Sequence, residues 1–184
     1  MVDGIILAGG YSRRLGRNKM SIVYKNKPVI QHTIEHMQAV CNSIYVVTGF
    51  YHDEIKRLIE DIEEVQVVYN ADYDKGMFTS VQKGVACTMH DFFIIPGDYP
   101  LVQTTVYDEI LLGTKGIRVP SFSFKLGHPI FFNQHFKEKL LKTSKDNLKS
   151  FRDAYDYEII NVDDEGILFD IDTISDYKKL VEKE

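Results

Sequence analysis

Gly4-Ile5-Ile6-Leu7-Ala8-Gly9-Gly10, three residues into the chain, is a short apolar run that stops at two glycines. It reads as a buried strand entering a glycine turn. No basic region and long apolar run precede a cleavage site, so it does not read as a secretory leader. Working outward, similar β-branched runs recur at Ser43–Thr48, Val65–Tyr69 and residues 92–95. Stretches of helical period lie between them. Ile30, Ile34, Met37 and Cys41 share one face, and Ile55, Leu58, Ile59 and Ile62 share another. Residues 77–89 form a third such stretch, with Val81, Gly84 and Val85 inward. This alternation predicts an α/β fold, a three-layer Rossmann-like sandwich on a mixed, mostly parallel central sheet.

Beyond Pro100 the order is less regular. A helix near residues 104–112 precedes strands near 117–120 and 129–132, and polar helical segments follow. A strand pair is expected around 157–162 and 167–171, then a last helix from Ser175 with Ser175 itself a candidate N-cap. No linker or repeat divides the chain, so residues 1–184 read as a single domain.

The net charge of −5 argues against non-specific nucleic-acid binding, and no apolar run reaches the ~18 residues of a membrane span. Two unclustered cysteines, Cys41 and Cys87, both in helical stretches, make no disulfide framework and suit a reducing cytoplasm. An anionic ligand must then be met by a local cluster of positive groups.

Such a cluster follows the first strand. In Gly9-Gly10-Tyr11-Ser12-Arg13-Arg14-Leu15-Gly16-Arg17-Asn18-Lys19 the glycines let backbone amides approach a ligand, and three arginines and a lysine follow. Guanidiniums and a point charge beside free amides are what a polyphosphate needs. The spacing fits neither Gly-x-Gly-x-x-Gly nor a P-loop, and a solvated basic turn is the plainer alternative.

Two acidic sites could complement it. Asp98 stands in Pro96-Gly97-Asp98-Tyr99-Pro100, just past an apolar strand, where a carboxylate can hold a metal carrying phosphates or merely cap its own turn. In Phe169-Asp170-Ile171-Asp172-Thr173, alternation puts Asp170 and Asp172 on one face, at a cost in repulsion unless a cation compensates. Asp172 could equally begin the turn into the last helix. Residues 70–81 join a strand to a helix. Gly76 permits the turn, and Thr79 and Ser80 sit in the first helical turn, either favouring an anion or capping the helix.

The loop fits Leu-Ala-Ala/Gly-Gly-x-Ser-x-Arg-Met/Leu-Gly-x-x-Lys. With the Gly-Asp-x-Pro turn, Gly127-His128-Pro129 and Asp170-Ile171-Asp172-Thr173, the chain resembles the molybdenum cofactor guanylyl- and cytidylyltransferases along nearly its whole length. The resemblance implies a nucleotide-diphospho-sugar transferase-like fold. It also implies transfer of a nucleoside monophosphate from a triphosphate to the molybdopterin cofactor, with pyrophosphate released.

It assigns catalysis to Arg14, Lys19 and Asp98. Nucleotide binding falls to Leu7, Ala8, Gly9, Gly10, Ser12, Arg14, Lys19, Thr48, Asn70, Gly76, Ser80 and Asp98. Mg²⁺ falls to Asp98 and Asp172 with Asp170 behind them, and the second substrate to His128. Arg13 and Arg17 fall at variable places and read as supporting surface charge. Val47-Thr48-Gly49-Phe50 and Gly-His-Pro-Ile resemble the cytidylyl branch, which implies CTP. Gly9, where that branch usually has alanine, and the spacer Lys25-Asn26-Lys27-Pro28 resemble the guanylyl branch. The product would pass to an apo molybdenum hydroxylase. Competing readings are GTP or another triphosphate, another phosphorylated acceptor, or a cofactor-binding chaperone without chemistry.

Overall fold

Strand β1 (Val2–Ala8) lies inside the sheet and is buried along nearly its whole length, because from Gly4 on both faces are apolar. The structure, a computed structural model, describes residues 1–182. After β1 come the hairpin strands β2 (Val23–Tyr24) and β3 (Lys27–Pro28), α1 (Val29–Gln38), β4 (Ser43–Thr48), α2 (His52–Ile59) and β5 (Val65–Tyr69). Then follow α3 (Met77–Cys87), β6 (Asp91–Pro96), α4 (Thr104–Leu111), β7 (Ile117–Phe122), β8 (Lys125–Leu126) and β9 (Ile130–Phe132). Helices α5 (Lys137–Lys142) and α6 (Leu148–Arg152), strand β10 (Glu158–Asn161) and α7 (Ile174–Val181) complete the order.

The main sheet runs β10-β7-β9-β6-β1-β4-β5, with β8 paired to β7. Strands β1, β4, β5 and β6 are mutually parallel, and β10 is parallel to β7, whereas β9 is antiparallel to β6 and β7. The mixed, mostly parallel sheet read from the sequence is therefore present. Alternation along β1 sends Ile6 and Ala8 to one core with α1, α2 and α4, and Ile5 and Leu7 to the other with α3, α5 and α6. The chain leaves β1 toward β4 and crosses back to β6 only after β5. The loops after β1 and β6 thus diverge and leave a crevice at the strands' carboxyl ends. No helix among the described residues is long and apolar enough to cross a membrane.

Several expectations are corrected. Residues 167–171 form no strand. Glu165–Leu168 is a turn of 3₁₀ helix, capped by Asp164, whose carboxylate accepts from the Gly166 amide at 2.7 Å. Strand β10 pairs in parallel with β7 instead. The last helix begins at Ile174, not Ser175, and its N-cap is Thr173. Thr173 and Asp176 make a reciprocal capping box, which Ser175 cannot do because Lys178 lies three residues on. Helix α1 stops at Gln38, so Cys41 lies beyond it but stays buried in the same core.

A third, smaller core decides where the end of the chain goes. Leu15 of the basic loop, Ile22, Tyr24, Val29, Ile171 and Leu180 pack together. Each fully buried aliphatic side chain there is worth roughly 1.5–3 kcal/mol, enough to hold the segment before α7 against the first loop.

Candidate active site

Three connections meet at the crevice. The loop after β1 folds back on itself, with Ser12 O accepting from the amides of Leu15 and Gly16 at 3.1 Å each, and Ser12 Oγ accepting from Lys19 N at 3.2 Å. The turn after β6 is tied to β1 by Gly97 N donating to Leu7 O at 3.0 Å, and to α1 by Thr33 Oγ1 donating to Gly97 O at 3.1 Å. The segment before α7 joins them where Ile171 N donates to Asp98 O at 3.3 Å. Ile171 is buried, so its neighbours Asp170 and Asp172 both face the crevice, as alternation predicts, although the extended stretch belongs to no sheet.

These connections bring charges together from distant parts of the chain. The Lys19 ammonium donates to Asp98 Oδ2 and, at 3.0 Å, to Asp172 Oδ1. Arg14 Nη2 donates to Asp172 Oδ2 at 2.5 Å. One carboxylate oxygen from each of Asp98, Asp170 and Asp172 lies within 4.8 Å of the other two.

Burial raises the Asp98 carboxyl above its ordinary range despite Lys19. Burial, with Asp98 and Asp172 adding repulsion, lifts Asp170 to about 6. For Asp172, burial opposes ionisation but the hydrogen bond and charge of Lys19, with Arg14, outweigh it, and its carboxyl titrates low. Burial likewise works against the charge on Lys19, and Asp98 and Asp172 outweigh it, holding the ammonium above its usual value. Asp98 Oδ1 is buried without a hydrogen-bond partner among the described residues. A bare carboxylate oxygen beside two further carboxylates is a donor set that fits a hard divalent cation.

Two adjoining cavities share this cluster. The first, about 250 Å³, is walled by Leu7, Ala8, Gly9, Gly10, Ser12, Lys19, Gly76, Ser80 and Asp98 among the expected residues. The second, about 560 Å³, takes Arg14, His128, Asp170 and Asp172 together with Lys19 and Asp98. At Gly76 the backbone has φ +117°, which favours glycine. At Gly127 a Cβ would stand 2.3 Å from Ile167 O, so glycine is what lets the next residue, His128, sit against the 3₁₀ turn. Its amide donates to Ile167 O at 3.0 Å, and its ring lies 4.9 Å from that of Tyr99. Burial, helped by the charge of Arg152, pushes the His128 imidazole down to about 4.

Thr48 and Asn70 line neither cavity. Thr48 is fully buried, its hydroxyl 2.7 Å from His52 Nδ1. Asn70 stands behind the wall, where Nδ2 donates to Ser80 Oγ and Thr79 Oγ1 at 2.9 Å each. Arg17 also lies off both cavities, whereas Arg13 lines the larger one and rests over the Tyr11 ring at 4.7 Å.

Tyr11, Asn18, Met20, Tyr73 and Met77 line the smaller cavity without having been singled out from the sequence as ligand residues. Tyr11 and Tyr73 meet edge to face at 5.7 Å. An aromatic residue between Gly10 and Ser12, in a loop that otherwise carries charge, was the available signal.

Residues 4–158 match the family model described as the MobA-like NTP transferase domain. The sequence is 26% identical over 181 residues to the molybdenum cofactor cytidylyltransferase of Escherichia coli (strain K12), covering 96% of this chain and 93% of that protein. It is 31% identical over 103 residues to a probable molybdenum cofactor guanylyltransferase of Bacillus mycoides (strain KBAB4), covering 54% of this chain and 50% of the other. Among solved structures, Rv0371C of Mycobacterium tuberculosis H37Rv in complex with manganese has the same fold. The TM-score is 0.78 at 21% identity, with 100% of this chain and 99% of that chain covered.

Proposed function

From the premise that this chain belongs to the MobA-like NTP transferase family, we propose that it transfers CMP from CTP to the terminal phosphate of the molybdopterin cofactor, releasing pyrophosphate. The reaction takes place in the cytoplasm with Mg²⁺ as the metal, and the product passes to an apo molybdenum hydroxylase.

The observation that carries the reading is the pair of adjoining cavities that share Lys19 and Asp98. The smaller, walled by the Tyr11 and Tyr73 rings, suits a nucleoside. The larger, charge-lined one suits the phosphates and an anionic acceptor. Gly10 and Ser12 line both cavities and, with Gly9 in the smaller one, would offer amides to the triphosphate. The E. coli relative, matched along nearly the whole chain, supports CTP.

A phosphate monoester is largely dianionic near neutrality, its second pKa being about 6, so an acceptor phosphate can attack the α-phosphorus without a catalytic base. The work left to the protein is charge and alignment. Lys19 and Arg14 stand where they would stabilise the oxygens of departing pyrophosphate, the largely buried lysine in a place where its charge acts strongly and the exposed arginine at the rim. Asp98 and Asp172 would hold the divalent cation, with Asp170 beside them. That cation would neutralise charge on the phosphates as the bond breaks. Manganese in the Mycobacterium tuberculosis neighbour supports a divalent ion for this chain too. His128 faces the acceptor side and, held neutral by burial, would offer a hydrogen bond rather than a charge.

The guanylyltransferase relative favours one second reading, the same chemistry with GTP. Pyrophosphate release from CTP, GTP, ATP and UTP, each with and without molybdopterin, separates the two. Release from CTP that requires molybdopterin supports the proposal, and release from GTP alone replaces it with the second reading. Binding of the cofactor without release from any triphosphate would instead mark a carrier.

A further inference from the structure

Asp98 and Asp172 offer four carboxylate oxygens, and side-chain cations hold three of them. Lys19 Nζ takes Asp98 Oδ2 and Asp172 Oδ1, and Arg14 Nη2 takes Asp172 Oδ2. The fourth, Asp98 Oδ1, is buried and has no hydrogen-bond partner among the described residues. The two cations are not equivalent. Arg14 has a side chain 69% exposed and can fall back on water. Lys19 has one only 19% exposed, wedged between the carboxylates.

We propose that Lys19 is a tethered counter-ion. It keeps Asp98 and Asp172 closed to a free divalent cation and gives them up only when a polyphosphate receives its ammonium. The proposal rests on the reading of these aspartates as the metal's ligands. Its physical basis is the cost of stranding a charge. If a metal alone displaced the ammonium, a largely buried cation would lose both hydrogen-bonded partners and keep only the nearby Asp170, whose carboxylate would itself be drawn to the metal, and an unpaired buried charge is strongly unfavourable.

A polyphosphate along Gly9, Gly10 and Ser12 changes that balance, because its oxygens would lie beside the same lysine, which lines both cavities. A compact ammonium on a flexible stem can exchange carboxylate for phosphate oxygens without a fixed geometry to rebuild. No proton moves and no covalent bond changes. The lysine trades one set of anionic acceptors for another, and the freed oxygens become available to the metal. Such exchange makes metal and nucleotide affinities rise together, each by the same factor.

The test is Mn²⁺ binding to the full chain without nucleotide, read from the electron paramagnetic resonance signal of free Mn²⁺. Lys19→Met is expected to bind Mn²⁺ at least about tenfold more tightly than wild type, within the usual range of coupling between sites. Lys19→Arg, which keeps the charge, is expected to stay close to wild type. Lys19→Gln serves as a second neutral variant should Lys19→Met not fold. Equal affinity in wild type and the neutral variants would overturn the proposal, as would equal tightening in Lys19→Arg. Adding Asp98→Asn to the neutral variant is expected to abolish the gain. If the tightening persists there, the aspartates are not the ligands, and the failure lies in the underlying reading rather than in the lysine's role.

Discussion

The backbone amide of Ile171 donates to the carbonyl of Asp98 at 3.3 Å, a bond that joins the segment held by the third core to the turn after β6. The side chains that flank it, Asp98 and Asp172, are both held by Lys19 as a result. The acidic cluster and the basic loop are thus one unit, and it can be taken apart residue by residue.

Lys19→Ala or Asp98→Ala should each lower turnover by about 10²-fold or more, the scale of losing one preorganised electrostatic group. Pyrophosphate release under saturating substrates measures it. Near-normal rates in either variant would contradict the assignment.

Ile171→Ala removes a side chain with no exposed surface from the core that joins the basic loop to α7. A loss of about 2–5 kcal/mol in urea unfolding is expected. Leu180→Ala, in the same core but away from the carboxylates, should cost comparable stability. Only Ile171→Ala should also weaken Mn²⁺ binding in the presence of nucleotide. Equal effects of both variants on Mn²⁺ would show that position 171 does not aim its flanking aspartates.

Gly127→Ala drives a Cβ to 2.3 Å from Ile167 O, a backbone atom that cannot swing aside. Overpacking of this kind costs typically about 1–3 kcal/mol. The variant should unfold at lower denaturant, and the acceptor KM should rise as the neighbouring His128 shifts. An unchanged unfolding midpoint would argue that the 3₁₀ turn gives way freely.

His128 titrates at about 4 in the folded chain against an ordinary 6.5, so the folded state binds fewer protons than the unfolded one between these values. Its contribution to stability is complete above pH 6.5 and is lost as pH falls through about 4, a total of up to about 3 kcal/mol. His128→Asn should therefore be less sensitive than wild type to acidification from pH 7 to pH 4.5, measured by urea unfolding. Parallel pH curves for the two proteins would show that the imidazole is not buried as described.

Much of this was readable from the chain alone. Residues 4–8 announce a strand covered on both faces, because every side chain is apolar or small whichever way it points. Glycines followed by Arg14 and Lys19 announce a tight, basic loop, because turn geometry and charge are local properties. The alternation of Asp170, Ile171 and Asp172 even foretold which two would face the crevice. By contrast, residues 167–171 form no strand, because Asp164 caps a 3₁₀ turn over 165–168, and Thr173 rather than Ser175 caps the last helix through its reciprocal pair with Asp176. Thr48 and Asn70 sit behind the wall rather than in it. The aromatic lining of Tyr11 and Tyr73, and the meeting of Lys19 with Asp172 across 153 positions, depend on how separate elements pack. Periodicity records only what neighbours in sequence require of one another. Which distant charges compensate each other is settled by burial, and burial exists only once the three cores have closed.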